Sequence, residues 1–262
     1  MKSNKLLAIW SGIVLFFLLF PFAVIVYASF TNSALVTIPL EDPGINSYLE
    51  ILQSGRYVKS LMLSLKVAFF ATLFGVTIGT FSSFVIVRKG HVKIVSLINN
   101  LLLAPMMVPA VIIGIAIMIS ISKLGINMSQ TLLIMVHTVI VLPYVVRTVC
   151  ATLSNFDVSI EEASIVMGAK PWHTLLEISI PNIRSGIITS ALLAFISSFG
   201  EVIITAFILP IGMTTLPVEI MNTLLYNFSP SIAAIAVLVS FGVFTVLYIL
   251  FRLFPKAFVE AQ

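Results

Sequence analysis

Charge is what this sequence lacks most. Of its 262 residues 9 % are charged, with ten acids and fourteen Lys or Arg. A soluble domain carries about 25 % charged residues, so this chain cannot cover a water-facing surface. Cysteine is almost absent as well. Cys150 stands alone, which rules out an intrachain disulfide and a cysteine metal cluster. The net charge of +4 does not indicate nucleic acid, because the basic residues are scattered and form no block of about five like charges. A G-x-x-x-x-G-K-[ST] phosphate loop is missing, so no ATP site of that type is encoded. His91, His137 and His173 show no metal-ligand spacing. No low-complexity tract, linker or internal repeat divides the chain, and one membrane domain over 1–262 is the simplest organisation.

What is present is apolar length. The chain is 60 % hydrophobic, with a mean hydropathy of +1.16. A helix needs about 20 apolar residues to cross the hydrocarbon core, and six stretches qualify, at about 6–30, 62–87, 95–120, 126–146, 186–210 and 230–251. The expected fold is therefore an all-α membrane protein. Lys and Arg set its direction. With the N-terminus inside, Lys2, Lys5, Arg88, Lys89, Lys93, Arg147, Lys170, Arg184, Arg252 and Lys256 fall on the inner side. Arg56, Lys59 and Lys123 fall outside, and Lys66 sits at a span end where it can snorkel. Both termini are then cytoplasmic. A competing reading treats the first span as a signal peptide cut after "VYAS". Its apolar run is about twice the usual length for that, and cleavage would leave the other spans pointing the same way.

The outer loop Thr31–Ser60 holds Pro39, Pro43 and Gly44 as turn formers, and Tyr48, Leu49, Ile51 and Leu52 as a short amphipathic segment. It reads as a rim helix. Gly75 and Gly79, four apart, form a small-residue face suited to close helix packing.

One polar stretch interrupts the apolar spans: "EEASIVMGAKPWHTLLEISIP", Glu161 to Pro181. Ser159 and Glu162 have capping-box spacing. Asp157, Glu161 and Glu162 place negative charge at the positive end of a helix dipole. Gly168 suits a left-handed helix terminus, and Pro171 suits the first turn of a second helix. Pro181 and Asn182 end that helix. The expectation is a helix–glycine–helix hairpin over about 157–181, on the inner side, with apolar residues still to cover. It either docks on another protein or rests on the lipid surface.

The stretch resembles the EAA loop of permease subunits of binding-protein-dependent ABC importers. That pattern is Glu-Ala-Ala, three residues, Gly, nine residues, Ile-x-Leu-Pro. Here Glu162-Ala163-Ser164, Gly168 and Ile178-Ser179-Ile180-Pro181 keep both gaps, with Ser164 for Ala and Ile180 for Leu. From about Ser60 onward, "LLLAPMMVPAVIIGIAI", "HTVIVLPYVVRT" and "ISSFGEVIITAFI" are similar to the spermidine/putrescine branch. The resemblance implies a type I importer permease fold in the bacterial inner membrane, in which Glu161, Glu162, Ala163, Ser164, Gly168, Ile178 and Pro181 receive the motion of a cytoplasmic ATPase dimer. It also implies that ATP and Mg are bound by that ATPase, with no cofactor or catalytic residue in this chain. A second, non-identical permease and an external solute-binding protein complete the implied assembly, and lipid surrounds it.

Glu201 is the one acid inside an expected span. Intramembrane acids are costly and face a cavity or a partner. It is either a path residue for a cationic solute or a structural carboxylate. The branch often has Ser-Phe-Asp-Glu there, whereas Gly200 replaces the Asp here. Pro105, Pro109 and Pro143 remove backbone donors and permit kinks that could gate a path, although membrane helices also tolerate prolines without such a role. His137 is either a proton relay or a hydrogen-bonded core residue. The resemblance implies a polyamine such as spermidine or putrescine as cargo, with a phosphonate, iron or another small solute as the alternative. A proton-coupled secondary transporter would use Glu201 and His137, but it would leave the hairpin unexplained.

Overall fold

The computed structural model describes residues 2–33, 37–226 and 231–253. Lys256 and the expected start of the sixth span near Pro230 lie outside the described residues. Every regular element described is a helix, apart from an isolated bridge between Thr31 and Pro43. Helices suit an apolar chain in lipid because they satisfy their own backbone groups. The chain divides into two compact units, Met1–Lys59 with Glu219–Ile249, and Ser60–Val218 with Leu250–Gln262.

In the first unit, α1 (Lys2–Ala28) is apolar on all sides, and its side chains from Leu7 to Phe20 are exposed. A helix apolar all round belongs in lipid or a core. The expected rim helix is α2 (Asn46–Gln53), which buries Ser47 and Ile51. Tyr48 Oη donates to Ser29 Oγ at 2.6 Å. The helix α3 (Gly55–Lys89) begins here, and its Arg56 pairs with the buried Glu219 near the start of α11 (Leu216–Tyr226). Ser231, at the start of α12 (Ser231–Leu253), donates to Glu50 Oε2 at 3.0 Å.

The second unit continues α3 and adds α4 (Lys93–Leu103), α5 (Ala110–Lys123), α6 (Gln130–Ser154), α7 (Ser159–Val166), α8 (Pro171–Asn182), α9 (Arg184–Phe199) and α10 (Ile203–Ile208). The helix α6 is its axis, with Leu133, Val141, Val145, Val146, Val149 and Leu153 all buried. A Cβ at Gly75 would meet Val141, and one at Gly79 would meet Val145. The small-residue face of α3 therefore lets it close on α6, as van der Waals packing in membranes requires. Gly186 does the same for α9, where a Cβ would strike Thr152 of α6. One cluster joins Leu63, Val67, Ile121, Leu133, Val136, Ile204 and Ile208. A second joins Phe84, Val141, Val145, Val149, Leu153, Ile183 and Ala194.

Among the described residues, three helices are long and apolar enough to cross a membrane alone, Leu7–Ala28, Gly55–Lys89 and Gln130–Ser154, or up to five spans if each bent pair is one. The stretch read as the third span is instead a bent pair. Lys93–Met106 and Ala110–Lys123 meet at 105°, because Pro105 sits in a 3₁₀ turn and extended Pro109 restarts the helix. The fourth runs later than expected. Ser129 caps it by accepting from Leu132 N–H, and Arg147 lies within the helix rather than ending it. The stretch 186–210 stops being helical at Phe199 and resumes at Ile203. The sixth expected span overlaps α12, whose apolar stretch Ser231–Thr245 is shorter than a membrane-crossing helix.

Candidate functional site

The hairpin is built as two short helices around a glycine. Gly168 has φ +94°, where only glycine is unstrained. Its N–H bonds to Ile165 O at 2.9 Å, and Ala169 N–H bonds to Ser164 O at 3.1 Å. That pair is a Schellman terminus. Pro171 then opens α8. The capping box differs from expectation. Ser159 does not cap with its side chain; its own N–H donates to Asp157 Oδ1 at 2.9 Å. An Asp carboxylate two residues upstream makes the shorter local bond. That backbone hydrogen bond from Ser159, and then the Ser159 hydroxyl, hold the Asp157 carboxyl below the usual carboxylate range.

Within α8, residues Thr174–Ser179 form a π-helical segment. Pro181 accounts for it. Proline lacks an N–H, and its ring displaces the carbonyl four residues back, so the widened turn before it relieves the clash. The chain then bends by 71° into α9 at Ile183.

The predicted coupling residues divide into two groups. Glu162, Ala163 and Gly168 are exposed, as are Val166 and Met167, each 86 % exposed at the tip. Ile160 is also exposed, and so is Pro181. Ser164 is buried, with its hydroxyl 3.0 Å from that of Thr174, tying α7 to α8. Ile178 is half-buried. Glu161 faces inward. Its Oε1 accepts from Ser179 Oγ and from Arg88 Nη2, both at 2.7 Å. Sequence reasoning assigned Glu161 a helix-dipole role and, through the resemblance, a coupling role, but did not pair it with Arg88 or Ser179, because nothing local links position 88 to 161.

The path candidates lie at breaks and in the core. Pro105 is half-buried and Pro109 exposed, both at the bend between α4 and α5. Pro143 is buried within the unbroken α6. Glu201 lies between α9 and α10, and its Oε1 accepts from Ile204 N–H at 2.8 Å, capping α10. Ser198 meets His137 Nδ1 at 2.8 Å, and Thr205 Oγ1 meets His137 Nε2 at 3.0 Å. Both ring nitrogens of this buried His are thus satisfied. The helix α10 packs on α5, with Phe207 against Gly114. An open cleft lined by Met118, Lys123, Asn127, Met128 and Pro210 contains none of the four path candidates. Among the described residues, no three His, Cys, Asp or Glu converge as a metal site.

A helical, apolar chain of this build has counterparts among known proteins. The profile of the family described as "Binding-protein-dependent transport system inner membrane component" matches residues 75–259. The chain belongs to this family. It is thus a multi-pass inner-membrane permease subunit, non-enzymatic, of a system whose ATPase is a separate subunit. The putrescine transport system permease protein PotI of Escherichia coli K12 is 29 % identical over 247 residues, 92 % of this chain and 88 % of that one. The putative 2-aminoethylphosphonate transport system permease protein PhnV of Salmonella typhimurium is 28 % identical over 212 residues, 80 % of this permease and 78 % of that one. Solved structures agree on the fold. A chain of a bacterial ABC transporter involved in import of the acidic polysaccharide alginate matches with TM-score 0.72 at 17 % identity, covering 98 % of this chain and 97 % of that one. A chain of the MetNI methionine ABC transporter matches with TM-score 0.62 at 20 % identity, covering 77 % and 96 %.

Proposed function

We propose that the hairpin over about 157–181 is the docking element for a cytoplasmic ATPase dimer, and that the permease carries a small cationic solute, a polyamine such as putrescine, handed over by an external binding protein. The observation that carries this reading is the tip of the hairpin. Glu162, Ala163, Val166, Met167 and Gly168 are exposed together on a turn fixed by a Schellman bond pair. Exposed apolar groups rimmed by polar ones mark an interaction surface. Both termini lie on the cytoplasmic side in this reading, as the Lys and Arg placement favours.

Ser164 and Ile178 hold the two arms together, and Pro181 sets the bend into α9. The path would run where the backbone is broken. Non-helical backbone at membrane depth is tolerated only where it is buried in protein or lines a cavity. Pro105, Pro109 and Glu201 mark two such breaks, and Pro143 lies in the α6 axis between Val141 and Val145 of the second cluster. Glu201 supplies a negative charge for a cationic cargo. The 2-aminoethylphosphonate relative supports a second cargo, an aminophosphonate, which also carries an ammonium group. A second, non-identical permease completes the pair.

Two experiments test this. Gly168→Trp leaves the subunit inserted but abolishes ATP-driven uptake in proteoliposomes containing the ATPase, the second permease and the binding protein; uptake at the parent rate contradicts it. Calorimetric titration of the cognate binding protein with putrescine, spermidine and 2-aminoethylphosphonate identifies the cargo class; binding of none of the three contradicts a cationic cargo.

A further inference from the structure

The helix α3 grips both arms of the hairpin from one face. Arg88 Nη2 donates to Glu161 Oε1 on α7 at 2.7 Å. About two turns earlier, Phe81 stacks on Trp172 of α8, with ring centroids 6.1 Å apart and planes at 10°. Positions 81 and 88 are seven apart and so share one side of the helix. The ion pair is partly shielded, with side chains 26 % and 17 % exposed, so salt screens it less than an open surface pair.

The hairpin is also tied within itself. Ser179 reaches the same Glu161 oxygen, and Ser164 meets Thr174. Its covalent connections are looser. Residues 155–158 before α7 are non-helical, and the chain after α8 turns by 71°. A displaced hairpin would therefore bend these joints, whereas its side contacts with α3 would have to break.

We propose that movement of the hairpin enters the membrane through α3, with Arg88 and Phe81 as positioning residues that make α7, α8 and the C-terminal end of α3 one rigid body. This rests on the hairpin being the surface an ATPase moves. Coupling through a packed element of this kind needs direct evidence that both ends respond.

The experiment uses the whole transporter in lipid nanodiscs, in a Cys150→Ser background. Nitroxide labels are placed at Glu177→Cys on the hairpin or at Met62→Cys far along α3, both exposed positions. ATP with vanadate is the probe. Both labels change their spectra in the parent. In Phe81→Ala/Arg88→Ala the label at 177 still responds and the label at 62 falls silent, while Arg88→Lys keeps the response at 62. If 62 responds equally in the double variant, the proposal fails while docking stands. If 177 is silent in the parent, docking itself fails. Should the double variant not assemble, Arg88→Ala and Trp172→Ala are measured singly; each loses part of the response at 62, and an undiminished response in both overturns the proposal.

Discussion

His137 Nε2 lies 3.0 Å from Thr205 Oγ1, joining the axis helix α6 to the short helix α10. The Thr205 hydroxyl also donates to Glu201 O at 3.0 Å, so its oxygen accepts from His137 Nε2–H. Nδ1 then accepts from Ser198 O–H. This chain of bonds fixes the break between α9 and α10 from one side, on α6.

Removing the ring leaves the buried Ser198 hydroxyl without its partner, while Thr205 keeps only its bond to Glu201 O. His137→Leu is expected to destabilise the permease by about 1–3 kcal/mol, the cost of an unsatisfied buried polar group. His137→Asn retains one bond and loses less. Thermal unfolding in detergent measures both, and an unchanged midpoint for His137→Leu contradicts the assignment.

The close approach of α9 to α6 is equally open to test. A Cβ at Gly186 would overlap the Thr152 side chain. Gly186→Val is expected to cost about 1–3 kcal/mol through overpacking. Adding Thr152→Ala should recover part of it, giving a coupling term in a double-mutant cycle. Additive losses in thermal unfolding would show that the two residues do not meet.

Glu201 separates structure from transport. Glu201→Gln keeps an acceptor for Ile204 N–H and removes the charge. Stability should stay within about 0.5 kcal/mol, while uptake of putrescine falls. Glu201→Ala loses the cap as well, worth about 0.5–2 kcal/mol. Unfolding midpoints and uptake rates, taken together, check both statements. Unchanged uptake by Glu201→Gln removes Glu201 from the path.

The hairpin was legible in the sequence because its signals are local. Gly168 needs positive φ, Pro171 fits a first turn, and Pro181 limits the helix that precedes it. Its cap was misread between neighbours, since Asp157 and Ser159 both offer an oxygen and the nearer geometry favours Asp157. Apolar length was legible in the sequence, and the breaks within it were not. Hydropathy averages over about 19 residues, which hides the 105° bend after Pro105 and the gap at 200–202. Those breaks are held by α5 packing on α10 and by His137, contacts between residues far apart in sequence. The ion pair of Glu161 with Arg88, 73 residues away, was hidden for the same reason.

The central claim is that the hairpin between Ser159 and Pro181 meets the ATPase, and its most direct measurement is a cross-link. In a Cys150→Ser background, Ala163→Cys carries a short photoactivatable reagent in the assembled transporter. The expected product is a covalent adduct with the ATPase subunit, whose yield changes with ATP. Adducts with lipid alone, or labelling of position 163 by an impermeant reagent added outside intact cells, would contradict it.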